Sequence, residues 1–270
     1  MLKQRLLTAA ILLPLLLAGM FLLPNPAWTM LILAPTALGA FEWAKLAGLS
    51  AILRNAFVAC VVLSGLLVML AQWRTPFLAA NAAVWFYLLA LLFWAIVVPA
   101  WLYFKWRVSS PAFMILTGWI VLIPAWLAVA TLQKSATLLL MLLLVIWIAD
   151  TAAYFSGRRF GRRKLAPQIS PGKTWEGVIG AAIAVLIYGF AVGFVLQPDA
   201  NFYNRAGLLV FICVLTVFSI IGDLFESWIK RQAGAKDSGD LLPGHGGILD
   251  RIDSVTAAMP FAALYFLQMS

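Results

Sequence analysis

Charge is scarce in this chain. Of 270 residues, 11% are Asp, Glu, Lys or Arg and 64% are hydrophobic, whereas a soluble domain carries about 25% charged and about 45–50% apolar residues. No stretch is polar enough to make a soluble module, which excludes a separate nucleic-acid-binding domain despite the net charge of +9. Thiols and imidazoles are nearly missing too, with two cysteines and one histidine. Cys60 and Cys213 fall inside apolar runs with no Cys or His neighbour, so no zinc spacing exists. They are expected to be small buried hydrophobes.

What remains is oil in long unbroken stretches. A membrane-crossing helix needs about 20 mostly apolar residues, and about nine such runs can be placed. They lie near 6–24, 27–48, 56–73, 83–104, 112–132, 136–156, 177–197, 206–226 and 254–269. Continuous runs, not alternating ten-residue ones, predict helices over an outer-membrane barrel. The fold class expected is all-α, a polytopic integral membrane protein. The first run follows Lys3 and Arg5 like a secretory leader, but Pro24-Asn25-Pro26 offers no small-residue cleavage site, so an uncleaved first span is expected. With the N-terminus inside, only Arg74, Lys134 and Arg205 fall in outside segments. Lys and Arg gather on the cytoplasmic side, so the charged loops 157–176 and 227–253 are expected in the cytoplasm and the C-terminus outside.

The ten acids are unevenly spread. Glu42 and Asp199 stand apart. Asp150, Glu176, Asp223, Glu226, Asp237, Asp240, Asp250 and Asp253 all fall at the cytoplasmic ends of the last four runs or in their loops. Residues 1–135 are therefore read as scaffold and 136–270 as the catalytic region. A carboxylate in a membrane segment is costly and needs a partner; for Asp150 and Asp223 that partner could be a structural ion pair with Arg158 or Lys230. The spacing suggests more. Asp223 and Glu226 are three apart, as are Asp250 and Asp253, so each pair shares a helix face. Carboxylates converging from neighbouring elements repel, and a hard divalent cation relieves that. An all-oxygen set suits Mg²⁺ with substrate phosphates. Candidate ligands are Asp223, Asp250, Asp253, Asp237 and Asp150.

Two loops carry the complementary chemistry. In "GRRFGRRKLAPQISPGKTWEG", Pro171-Gly172-Lys173-Thr174 is not a P-loop, because residue 167 is proline where a glycine is required. Ser170, Lys173 and Thr174 can still hold phosphate at the start of the next helix. In "PGHGGILD", Gly244, Gly246 and Gly247 allow close backbone approach, and successive amides make anion nests. His245 either orients phosphate or moves a proton. Lys230, Arg231, Lys236 and Arg251 add positive charge. Such equipment fits phosphoryl or nucleotidyl transfer, in which positioning and charge neutralisation dominate, with one or two metal ions clamping the reacting oxygens.

The string Ser227-x-Ile229-Lys230-Arg231-x4-Lys236-Asp237-x-Gly239-x2-Leu242-Pro243-x-His245-Gly246-Gly247-Ile248-x-Asp250-Arg251-Ile252-Asp253 resembles the signature of the phosphatidate cytidylyltransferase (CDP-diacylglycerol synthase) family. "SPGKTWEG" and "IADTAAYFSGRRFG" are similar to that family as well. The resemblance is dense over residues 150–253. It implies a bacterial-type cytoplasmic-membrane enzyme that joins CTP to phosphatidic acid with Mg²⁺, with Asp223 and Asp250 as metal-binding acids. Catalytic roles are then expected for Asp223, Asp250, Lys236 and Arg251, with His245 as a positioner. Substrate binding is expected at Ser170, Lys173, Thr174, Lys230, Arg231, Gly246 and Gly247. Partners would be CTP, phosphatidic acid, membrane lipids and, as a candidate, a second copy of the chain. A CTP-dependent polyprenol- or phytol-type lipid kinase and an anion transporter are the rival readings.

Overall fold

The computed structural model describes residues 2–196, 202–241, 244 and 246–267. His245, Leu242, Pro243 and Asp199 lie outside the described residues. Ten α-helices are described: α1 Leu2–Leu22, α2 Asn25–Leu46, α3 Ala51–Arg74, α4 Pro76–Leu92, α5 Val98–Phe104, α6 Pro111–Leu132, α7 Ala136–Phe160, α8 Trp175–Leu196, α9 Phe202–Gln232 and α10 Leu249–Leu267. A π-helical turn at Phe93–Val97 joins α4 to α5, and a 3₁₀ turn at Gln133–Ser135 joins α6 to α7. The rods therefore follow the apolar runs along the chain. Among the described residues, five stretches are long and apolar enough to cross a bilayer: Ala51–Arg74, Pro76–Phe104, Pro111–Phe160, Trp175–Phe194 and Asn204–Gln232.

Local chemistry sets the helix ends. Ser50 and Ser110 accept from Leu53 N and Phe113 N at 3.4 and 3.5 Å, satisfying amides that have no partner within the helix. Pro76 and Pro111 open α4 and α6, where a missing N–H costs nothing. The π turn precedes Pro99, which cannot donate to Ala95 and crowds its carbonyl; widening the turn relieves both.

The all-α expectation needs one amendment. Between α7 and α8 the chain forms an antiparallel hairpin of β1 Lys164–Ala166 and β2 Ser170–Thr174, pairing Lys164 with Thr174 and Ala166 with Ser170. Its base is closed by Glu176, whose carboxylate accepts from Arg162 N at 3.0 Å and Arg163 N at 3.2 Å. Thr174 Oγ1 caps α8 by accepting from Gly177 N at 3.1 Å. Helices α7 and α8 then pack through Ala153, Gly157, Gly177 and Gly180, where a Cβ on Gly180 would collide with Ser156 Oγ. Small residues permit such close helix approach in lipid.

The interior is aromatic. Phe225 of α9 is ringed by Trp43, Phe93, Trp94 and Trp101, with centroids 6.2, 5.8, 5.5 and 5.3 Å away. All five are buried. The C-terminal end of α9 is tied to the 105–110 loop by Trp228 Nε1 donating to Trp106 O at 3.0 Å and Gln232 Nε2 donating to Val108 O at 2.5 Å. Gln133 Nε2 donates to Met20 O and Leu23 O at 2.9 and 3.1 Å, fastening the first helices to the α6–α7 junction. Large apolar side chains such as Ile52, Trp73, Phe77 and Trp85 point outward, as lipid-facing surfaces require. Cys60 shares that outer surface and is exposed, and Cys213 is half-buried; neither is the buried hydrophobe expected from the sequence, because each lies off the inward stripe of its helix.

Phe225→Ala should lower stability by about 3 kcal/mol through lost packing and a cavity, while lipid-facing Trp85→Ala should change it by less than about 0.5 kcal/mol. Unfolding both variants by detergent titration against wild type measures the difference.

Candidate active site

Three helices, α7, α9 and α10, bring the acids together. Helix α9 has 31 residues, which is about 46 Å at 1.5 Å per residue. It therefore outruns the ~30 Å hydrocarbon layer and can carry Asp223, Glu226, Lys230 and Arg231 on its last turns. Gly222 lets α10 approach so closely that a Cβ there would sit 2.5 Å from Asp253 O. That contact sets Asp253 beside Asp223. Asp253 lies in the electrostatic field of Asp223, Glu226 and Asp150, and Asp150 in that of Asp223 and Lys173. The four carboxylates of Asp150, Asp223, Glu226 and Asp253 thus share one neighbourhood.

Two lysines offset part of this charge. Lys173, carried on β2, pairs with Asp223 Oδ2 at 2.7 Å. Lys230 Nζ bridges Glu226 Oε2 at 2.8 Å and Asp250 Oδ1 at 2.5 Å, with all three side chains largely buried. The Glu226–Lys230 pair follows from its i,i+4 spacing on α9. Asp250 is otherwise saturated: its Oδ2 accepts from Ser238 N at 2.9 Å, Ser238 Oγ at 3.0 Å and Gly247 N at 2.8 Å.

The residue that sequence reasoning left aside is Glu42. Near the C-terminal end of α2 and 1% exposed, its Oε1 accepts from Ile248 N at 3.0 Å and its Oε2 from Leu249 N at 2.9 Å and Ser238 Oγ at 3.0 Å. It therefore caps α10 from another part of the chain. The signal was its isolation as the single acid in the first half, inside an apolar helix, where an ionisable residue is functional by default. Ser238 was also missed; it is buried and stands between Glu42 and Asp250.

The glycine-rich turn is explained differently from the expectation of an open anion nest. A Cβ on Gly247 would press on Ser238 Oγ and both Glu42 oxygens, one on Gly239 would lie 2.7 Å from Glu42 Oε1, and one on Gly246 would lie 2.7 Å from Asp250 Oδ2. Gly246 also has a φ of +80°, a region that favours glycine. These glycines make room for two internal carboxylates, which occupy the amides of residues 247–249. Of the other candidates, Thr174 is buried as the α8 cap. Arg231 docks the hairpin through Nε to Ile169 O at 3.4 Å. Ser170 is half-buried at the start of β2, and Lys236, Asp237 and Arg251 are exposed.

Among the described residues, no three acidic, His or Cys side chains are already gathered at metal-binding distance. The donor set nonetheless suits a hard cation. Four carboxylates repel one another, Glu226 Oε1 is buried without a hydrogen-bond partner, and Asp253 Oδ1 accepts from the adjacent Ser254 amide at 2.7 Å. Beside the hairpin, a cleft of about 490 Å³ is lined by Arg159, Phe160, Gly161, Arg162 and Glu176. It adjoins a groove of about 580 Å³ between α7 and α8 that is mostly apolar and shares Arg159 and Phe160.

Apolar helices with acids and lysines clustered where α7, α9 and α10 meet the hairpin fit a membrane protein that handles phosphates. Comparison with known proteins narrows it. The cytidylyltransferase family model matches residues 3–269, and the chain belongs to that family. A phosphatidate cytidylyltransferase of Pseudomonas aeruginosa is 42% identical over 277 residues, covering 98% of this chain and 97% of that one. The phosphatidate cytidylyltransferase of Haemophilus influenzae is 36% identical over 290 residues, covering 98% and 99%. That of Bacillus subtilis is 46% identical over 136 residues, about half of each chain.

Lys230→Met should destabilise the protein by about 3–5 kcal/mol, because Glu226 and Asp250 would be left as uncompensated buried charges. Adding Glu226→Gln should restore a large part of that loss. Exposed Arg251→Met should be nearly neutral. Thermal unfolding in detergent reads all three.

Proposed function

We propose that the protein is a CTP:phosphatidate cytidylyltransferase, a nucleotidyltransferase of phospholipid synthesis in the bacterial cytoplasmic membrane. The observation that carries this reading is end-to-end likeness to two bacterial relatives of that name, coupled with the lysine-balanced carboxylate cluster. The chain crosses the bilayer nine times, with its N-terminus and the 157–176 and 227–253 loops in the cytoplasm. Residues 1–135 act mainly as scaffold and 136–270 carry the chemistry. The apolar groove ending at Arg159 supports a lipid substrate, since it offers oil for an acyl chain and a guanidinium for an anionic head.

A phosphate oxygen of phosphatidic acid attacks the α-phosphorus of CTP. The new P–O bond forms as the α–β bridge breaks, and pyrophosphate leaves. The attacking monoester is already ionised near neutral pH, so no strong general base is needed. Lys173, half-buried beside Asp223, would turn toward the triphosphate and stabilise the charge that grows on pyrophosphate, while Lys230, held between Glu226 and Asp250, would add positive potential from its fixed position. Lys236, Arg251 and Arg231 add positive potential at the mouth, and Ser170 offers a hydroxyl from the start of the strand that carries Lys173. His245 positions phosphate. Asp223, Asp253 and Asp150, with Asp250 and Asp237 alongside, would hold magnesium, which when bound supplies further positive charge to the phosphates.

Purified protein given CTP, phosphatidic acid and Mg²⁺ should release pyrophosphate and form CDP-diacylglycerol; release of CDP instead would assign a lipid kinase. Lys173→Ala should lower kcat by about 10²–10³-fold, the scale for losing one charge-stabilising donor. Unchanged turnover in this variant would remove Lys173 from the mechanism.

A further inference from the structure

Glu42 is a buried carboxylate that the proposed chemistry does not use, yet it accepts from the amides of Ile248 and Leu249 and shares the single Ser238 hydroxyl proton with Asp250. A buried acid is not kept in an apolar helix without cost, and neutral residues could fill the same space. Its partners are informative. Ile248 N and Leu249 N are the unpaired donors at the start of α10, so Glu42 fixes where that helix begins. Ser238 Oγ touches both Glu42 Oε2 and Asp250 Oδ2 at 3.0 Å. The Ser238 amide also holds Asp250 Oδ2, at 2.9 Å. One side of Asp250 is therefore pinned through a chain that starts on α2, and its other oxygen, Oδ1, is presented to Lys230. Gly239 and Gly247 leave the space Glu42 occupies.

We propose that Glu42 is a positioning residue for the transfer reaction: it latches Ser238, Ile248 and Leu249 to α2 and, through Ser238, fixes the Asp250 carboxylate and the Lys230 that depends on it. This rests on the functional reading given above for Asp250 and Lys230. Glu42 does not touch substrate. Its carboxylate offers acceptors to all three donors, whereas glutamine keeps the shape but turns an amide N–H₂ toward them.

The test uses the full-length protein in detergent or nanodiscs. Glu42→Gln should lower kcat for pyrophosphate release at least tenfold, with KM for CTP changed less than threefold. In the same variant, amide hydrogen exchange at residues 246–250 should quicken at least tenfold while α6, α7 and α8 exchange as in wild type. Ser238→Ala, the milder probe should Glu42→Gln fold poorly, should show the same pattern to a smaller degree. The double variant should fall no more than about threefold below Glu42→Gln, because the two residues act in one chain. Unchanged kcat in Glu42→Gln, or loosening spread over the whole bundle in both variants, overturns the proposal. Wild-type protein that makes no pyrophosphate overturns the functional reading instead, and the exchange data then still decide whether the latch exists.

Discussion

Carboxylates placed among apolar helices must find donors inside the protein, and the site is built around that requirement. Glu42 and Asp250 together draw on the amides of Ser238, Gly247, Ile248 and Leu249, the Ser238 hydroxyl and the Lys230 ammonium. Each bond is worth more to make than its net energy suggests, because leaving a buried donor or acceptor unpaired carries the full desolvation penalty. Ser238, Gly247 and Ile248 are thereby fixed in place, although the segment between α9 and α10 contains five glycines whose backbones are intrinsically free to vary. A charged network of this kind contributes little to net stability; its value lies in fixing where Asp250 and Lys230 stand.

The apolar half of the molecule serves the same end by different means. Phe225 lies between Asp223 and Glu226 in sequence and points the opposite way, into four aromatic rings from α2, the π turn and α5. Burial of that ring sets the rotation of α9 about its axis, and the rotation decides that its acids face α10. Trp228 and Gln232 hold the end of the same helix to the 105–110 loop. The π turn before Pro99 thus has a consequence at the site, since it presents Phe93 and Trp94 to Phe225.

On the opposite side, the hairpin delivers Lys173 to Asp223. Glu176 and Thr174 anchor its base, and Arg231 holds its turn. Residues that looked like substrate ligands thereby acquire a structural task as well. Thr174 and Arg231 build the frame that holds Lys173 against Asp223.

The sequence by itself determined the apolar character of the protein, the run of its helices and the concentration of its acids after residue 140. These are properties of composition and local order: apolar length dictates helices in lipid, and spacing of three or four puts Asp223 with Glu226, and Glu226 with Lys230, on one face. The signature around Asp250 was legible for the same reason, being contiguous. Only the tertiary structure decided that Glu42, some two hundred residues away, belongs beside Asp250, that Ser238 links them, and that the glycines serve internal carboxylates. It also decided that Lys173 and Lys230, out of many cations, pair with the acids. Pairing across such distances depends on how helices pack, and packing is set by surfaces that no single stretch of sequence displays.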